Sequence, residues 1–304
     1  MSTQNVLFDA PGPRARRNFA IGNAVGVLLL LTVLYLVISR LGARGQLDPA
    51  LWKPLLTSRS WQYYILPGLQ NTLVAGAYSI VGAMVFGLLF GVGRLSGSRA
   101  IRWFCGIVVE FFRAVPVLIM MVAGWLALNQ LKLIPAEMTS LVAVVGALIL
   151  YNGSVIAELV RSGIHGLPKG QREAGLAIGL TRNQSIRSIE LPQALIAMLP
   201  SLVSQFVVIL KDSALGYYIA YAELLRNSRL LGTDGTNILQ TLFVAAAIFI
   251  LINVSLSRFA EFLARRVGGA TSGKTRVGDV PNTVTTIGLE QSGTAAAKRG
   301  LEHR

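Results

Sequence analysis

Cysteine, histidine and charge are all scarce in this chain of 304 residues. Its single cysteine, Cys105, excludes an intramolecular disulfide framework, a Cys-rich zinc site and a redox pair. Two histidines, His165 and His303, are too few for a His-built metal centre or proton relay. Charged residues make up 14% of the chain, where soluble domains run near about 25%. Acidic side chains are the scarcer kind, 14 against 28 basic. With 53% hydrophobic residues and a mean hydropathy of +0.58, this composition argues against a soluble globular protein. The net charge of +14 would signal an anionic partner such as nucleic acid in a soluble protein; in a membrane protein the same excess sorts by side.

What is abundant is the long apolar run. A helix needs about 20 mainly apolar residues to cross a bilayer, and six such runs are present: 18–39, 67–93, 104–128, 138–160, 191–210 and 238–263. Because lipid leaves unpaired backbone without partners, and β-barrel alternation is absent, these spans read as helices. The basic segment before the first run also fits a signal peptide. The length of the run, and the lack of a small-x-small site directly after it, favour a retained helix. The predicted fold is an all-α integral membrane protein with six transmembrane helices. After Arg266 the sequence turns rich in Gly, Thr and Ser, which predicts a disordered tail over 267–304.

Basic residues set the topology. With the N-terminus in the cytoplasm, inside segments hold 18 Lys and Arg and outside segments 8. This places residues 1–17, both termini, and the polar stretch between the fourth and fifth runs on the cytoplasmic side.

That stretch, SGIHGLPKGQREAGLAIGLTRNQSIRSIE, is long for a mere connection. Pro168 suits a first helical turn and Gly179 the position just past a helix end. Thr181 and Gln184 have capping-box spacing, so a second helix starts at once. Two short helices joined at a glycine make a rigid elbow. Within it Glu173, Ala174 and Gly175, then Gly179, then Ile189, Leu191 and Pro192 follow the order E-A-A, three residues, G, nine residues, I-x-L-P.

This pattern resembles the signature loop of the permease subunits of bacterial binding-protein-dependent ABC importers. Gly175 departs from it, standing where the family has Ala, a change that loosens the helix. The stretches VEFFRAVPVL (109–118), YNGSVIAELVRSGIHGLPKGQ (151–171), LPQALIAMLP (191–200) and LKDSAL (210–215) are similar to blocks of the polar amino-acid branch, and among its members to glutamate uptake permeases of actinobacteria. The resemblance implies a five-helix permease core over 63–266, with the first helix outside it and a cytoplasmic coupling loop at 162–190. It implies that Glu173, Ala174, Gly175, Gly179, Ile189, Leu191 and Pro192 couple to an ATPase. The implied partners are a second permease subunit, identical or paralogous, a cytoplasmic ATPase dimer carrying ATP and magnesium, and an extracytoplasmic binding protein that delivers an amino acid. This chain would bind no cofactor and catalyse no reaction.

Charges at membrane depth are costly and point to function. Glu110 with Arg113, Glu158 with Arg161, and Arg258 with Glu261 can self-pair three residues apart. Alternatively Arg113, followed by Pro116, lines the translocation path with Glu110 and Glu158. Lys211 and Asp212, adjacent and so on different helix faces, could with Arg113 complement an acidic amino acid. Gly22 with Gly26, and Gly87 with Gly91, have the small-xxx-small spacing of helix contacts, including contacts between subunits. Gly268–Thr275 matches the P-loop formula, but no strand precedes it and no helix signal follows. A secondary carrier would show an inverted repeat, and none is visible; a membrane enzyme would need a polar constellation that is missing.

Overall fold

A computed structural model describes residues 12–271, and every regular element among them is helical. The chain divides into two units, Met1–Glu261 and Phe262–Arg304. Of the second, the helical backbone is described through Thr271, so the expectation of disorder beyond it, and the second half of the P-loop-like stretch, lie outside the described residues.

Helix α1 (Pro13–Ala43) starts on a proline, whose fixed φ suits a first turn, and its most apolar window is wholly exposed. Short turns capped by Asp48 and Thr57 lead to a π-helical turn, Trp61–Ile65, and then to helix α2 (Leu66–Gly93). The wide turn directly precedes Pro67. Proline can make no i→i−4 bond and its ring crowds the carbonyl four residues back, which a π turn relieves. The same device recurs later, where the π turn Ile186–Glu190 precedes Pro192.

Helix α2 carries a stripe of small buried residues, Gly68, Thr72, Gly76, Ser79, Ala83, Gly87 and Gly91, spaced three or four apart. A Cβ added to Gly87 would stand 2.4 Å from Ile156, and one added to Gly91 would stand 2.8 Å from Val160. Both partners lie on the helix Ala136–His165 (α5 below). The small-xxx-small pair Gly87 and Gly91 is therefore used inside the chain. This corrects its reading as a contact between subunits: the space above each glycine is already filled.

The run expected as one span at 104–128 is broken. Helix α3 (Arg99–Ala114) and helix α4 (Val117–Leu131) meet at 98°. Pro116 disfavours helical backbone at the residue before it, and Val115 is accordingly extended, at φ −86° and ψ 128°. The bent pair still crosses once. Gly82 faces Ile149, Gly87 faces Ile156 and Gly91 faces Val160, so α2 and helix α5 (Ala136–His165) run parallel. Parallel neighbours require a single return between them, so with the bent pair as one span the count of six crossings stands among the described residues.

A second break corrects the span expected at 191–210. Helix α6 (Lys169–Ala177) lies in the elbow, helix α7 (Leu191–Ala197) follows it, and helix α8 (Leu199–Asp212) begins after Met198. Pro200 denies its N–H to Ile196, so the ladder stops there. The apolar span runs from Leu199 through the 3₁₀ turn to Ile219. It is antiparallel to α5, since Gly163 faces Met198, Asn152 accepts from Gln205 at 2.5 Å, and Gly216 faces Val144. Helix α9 (Leu224–Asp234) and helix α10 (Ile238–Thr271) complete the chain, the last reaching five residues into the expected tail.

Two buried clusters result. The larger, with Met121, Leu148, Ile156, Val160 and Ile209, fills the space between α2, α4, α5 and α8. The smaller, with Ile65, Leu224 and Ala245, closes the opposite end from the elbow. There, side chains bond across long sequence distances: Asn71 Nδ2 to the Ala222 carbonyl at 2.8 Å, Tyr221 hydroxyl to the Asn71 carbonyl at 2.8 Å, and Gln240 Nε2 to the Gln46 carbonyl at 2.6 Å. At the elbow end, Arg182 Nε donates to the Leu95 carbonyl at 3.3 Å.

Candidate functional site

The elbow is built by three local devices. Pro168 stands at the N-cap of α6, one residue before the first turn expected for it. At the other end Gly179 has φ +87°, its N–H donates to the Leu176 carbonyl at 3.0 Å, and the Leu180 N–H donates to the Gly175 carbonyl at 3.2 Å. This is a Schellman motif, which only a residue at ease with positive φ can close. Two residues later the capping box is present: Thr181 N–H donates to Gln184 Oε1 at 2.9 Å, and Gln184 N–H donates to the Thr181 hydroxyl at 3.4 Å.

Gly175 joins the two halves. A Cβ there would meet Ser185 Oγ at 2.9 Å and Ile189 Cδ1 at 3.1 Å, and Ser185 Oγ is engaged, donating to Glu190 Oε1 at 2.8 Å. The glycine therefore lets α6 lie against the following turns, which is tighter joining rather than a looser helix. Gly175→Ala should lower the stability of the elbow by about 1–3 kcal/mol despite its better helix propensity. Hydrogen exchange over 169–190 would report it, and unchanged protection would refute the close-packing account.

Glu173 and Ala174 point to solvent together with Leu176 and Ile178, the last 75% exposed. Gly175 and Ile189 are in contact behind that face. Leu191 packs on the larger core, and Pro192 occupies the first turn of α7, which roots the elbow in the body.

A second cluster lies beside it. Arg94, at the end of α2, donates to Glu158 Oε2 at 2.6 Å and to Glu110 Oε1 at 3.1 Å. Arg161 bonds Glu158, and Arg113 reaches both Glu110 at 3.4 Å and Glu158 at 3.9 Å. Two of the three i,i+3 pairs expected from the sequence, Glu110 with Arg113 and Glu158 with Arg161, are thus parts of one network across three helices. Arg94 was the member not foreseen: its partners stand 16 and 64 positions away, and no spacing rule links them.

Lys211 and Asp212 are elsewhere. They end α8, two turns beyond the Gln205 that bonds Asn152, whereas Arg113 pairs at the level of Glu158. Arg113 and Asp212 are therefore separated along the bundle by roughly 15 Å, so they do not form one pocket around one small molecule. The Asp212 carboxylate makes no hydrogen bond or ion pair among the described residues.

Near this end Glu223 caps α9. Its carboxylate accepts from the Leu225 and Arg226 N–H groups at 2.7 Å each, and it is fully buried. Burial pushes its pKa from 4.5 up to about 7, against the opposing pull of those N–H groups and of Arg226. Burial, then the nearby Glu223, hold the Tyr221 phenol up at about 12. A carboxyl whose pKa is raised by folding holds its proton more tightly when folded, so its contribution is complete below the unfolded value and is lost as pH rises through about 7. Thermal stability of the purified protein should fall between pH 5 and pH 8, and Glu223→Gln should flatten that slope; an equal slope in the variant would remove Glu223 as its origin.

Residues 83–269 match the binding-protein-dependent transport system inner membrane component family. The glutamate transport system permease protein GluD of Corynebacterium glutamicum is 46% identical over 241 residues, covering 79% of this chain and 88% of its own. The glutamate/aspartate import permease protein GltK of Escherichia coli is 33% identical over 210 residues, 67% of this chain and 93% of its own. The solved structure of an amino acid ABC transporter with histidines matches with a TM-score of 0.60 at 27% identity, over 66% of this chain and 93% of that one. An inward-facing MetNI methionine ABC transporter structure has the same fold, with a TM-score of 0.60 at 19% identity over 69% of this chain and 99% of that one.

Proposed function

We infer the working of the protein from one premise: the chain belongs to the binding-protein-dependent transport system inner membrane component family and is an amino-acid permease subunit of an ABC importer. Its substrate is glutamate or another acidic or polar amino acid, a reading supported by the names of GluD and GltK. It forms half of the membrane pathway with a second permease, identical or paralogous. Two ATPase subunits dock on the elbow, and an extracytoplasmic binding protein delivers substrate at the opposite end. ATP and magnesium are held, and ATP is hydrolysed, on those ATPases; this chain binds no cofactor.

The observation that carries the reading is the elbow. Glu173 and Leu176 are exposed on a helix, and Ile178 at its C-cap, with the Schellman turn and the Gly175 contact holding that helix in place. Such a face can receive force without deforming and pass it through Leu191 and Pro192 into α7. The excess of Lys and Arg in the elbow and in the loop after α2 supports a cytoplasmic placement for this end, and with six crossings for both termini. The working parts are then residues 1–17 in the cytoplasm, an added span at 18–39, the permease core at 63–266 with the coupling loop 162–190, and the tail 267–304. Toward the opposite end, Asp212 is open to a substrate ammonium and Lys211 to a carboxylate, while Arg113, steadied by Glu110 and Glu158, forms a separate station nearer the elbow.

Uptake of labelled glutamate into vesicles, with the ATPase and binding protein present or withheld, tests this. Uptake that requires both is expected. Uptake by this chain alone, driven by an ion gradient without ATP, would overturn it.

A further inference from the structure

Beside the elbow lies a groove of about 460 Å³. Leu88, Leu89 and Val92 at the end of α2, Ile101 at the start of α3, and Ile186 and Leu191 form its apolar floor. Its rim is polar: Ser96, Asn183 and Arg187. Arg187 is exposed and makes no hydrogen bond or ion pair among the described residues. Arg102 does not line the groove, but its guanidinium donates to the carbonyl of the rim residue Ser96 at 2.9 Å and so lies next to it. No carboxylate lines the groove.

Its position decides between possible occupants. The groove sits where a membrane-crossing helix ends, and it opens beside Leu89, 67% exposed, and the outward stripe of α3, Trp103, Ile107 and Phe111. A tryptophan at that level and apolar residues deeper along α2 are the arrangement of a membrane–water interface. An apolar floor that continues into lipid-facing surface, under a rim that holds the Arg187 guanidinium and no acid, with Arg102 beside it, fits a molecule with a hydrocarbon chain and a phosphodiester head.

We propose that this groove binds an anionic phospholipid of the leaflet on the elbow side, its acyl chain along Leu88, Leu89 and Val92 and its phosphate against Arg187 and Arg102. The proposal needs only that the chain spans a bilayer, so it stands or falls separately from the ATPase reading. The lipid would wedge the second half of the elbow against the loop after α2 and make coupling sensitive to lipid composition.

The test is native mass spectrometry of the full transporter complex, released from nanodiscs, with phosphatidylglycerol or phosphatidylcholine of identical acyl chains as the probe. Wild type should retain phosphatidylglycerol at roughly tenfold lower lipid concentration than phosphatidylcholine. Arg187→Glu should abolish that preference and Arg187→Lys should restore most of it, while Leu89→Trp, which fills the groove from an exposed position, should lose both lipids. Millimolar glycerol phosphate should not displace the lipid. Equal retention of the two lipids by wild type, unchanged preference in Arg187→Glu, displacement by glycerol phosphate, or a Leu89→Trp complex that keeps its lipid but sheds a partner subunit would each overturn the proposal.

Discussion

Gly179→Pro should abolish ATP-coupled uptake while the chain still inserts in the membrane and keeps its partner permease. Gly179 holds φ at +87°, and proline fixes φ near about −65°, so the Schellman turn cannot close. Proline also removes the N–H that donates to the Leu176 carbonyl. The elbow halves then lose their fixed angle, and the exposed face of Glu173, Leu176 and Ile178 no longer stands rigidly on the body. A graded series separates conformation from contact. Nothing lies within 4 Å of a Cβ added at Gly179, so Gly179→Ala meets only the left-handed backbone penalty, about 1–2 kcal/mol, and Gly179→Asn less. Uptake should fall in the order Gly, Asn, Ala, Pro, with co-purification of the ATPase falling alongside. Normal transport by Gly179→Pro would show that the angle of the elbow is not what transmits force.

The elbow was the part most legible in the sequence, because each of its devices is local. A capping box spans four residues and a C-terminal glycine acts within one turn, so Thr181, Gln184 and Gly179 carry their roles in their spacing. The six crossings were legible for a similar reason: a bilayer tests composition over about 20 residues. The breaks at Val115 and Met198 were not, since an apolar window cannot register the single missing N–H of Pro116 or Pro200. Gly87 and Gly91 advertised a close helix contact without naming the partner, because small residues state only that something approaches. Arg94 and Glu223 were invisible for the opposite reason, as their chemistry depends on groups brought together by tertiary packing.

Arg94 also links the two functional regions. The residue after it, Leu95, accepts through its carbonyl from Arg182 in the elbow, while Arg94 itself holds Glu158 and Glu110. These contacts join the elbow to α5 and α3 through two consecutive residues.

Glu158→Ala should therefore be the most damaging single change in the body of the protein. Glu158 is the hub on which Arg94, Arg161 and Arg113 converge, and its side chain is 23% exposed, with Arg94 at 14%. Removing it leaves guanidinium groups gathered around an absent counter-charge, with Glu110 alone to balance them. Breaking a fully buried pair by deleting one partner costs about 3–5 kcal/mol; this half-buried network should lose less, though still a sizeable share of the margin of a marginally stable fold. The expected result is a large fall in folded protein recovered from membranes and in the thermal midpoint in detergent. Glu158→Gln keeps an acceptor oxygen without the charge and should fall between. The decisive comparison is the double variant Glu158→Ala, Arg161→Ala, which removes a cation along with the anion. Its loss should be clearly smaller than the sum of the single losses, since the two residues are in contact and belong to one network. Strict additivity would show that Glu158 acts through packing alone, and that the charges on α2, α3 and α5 are not energetically joined.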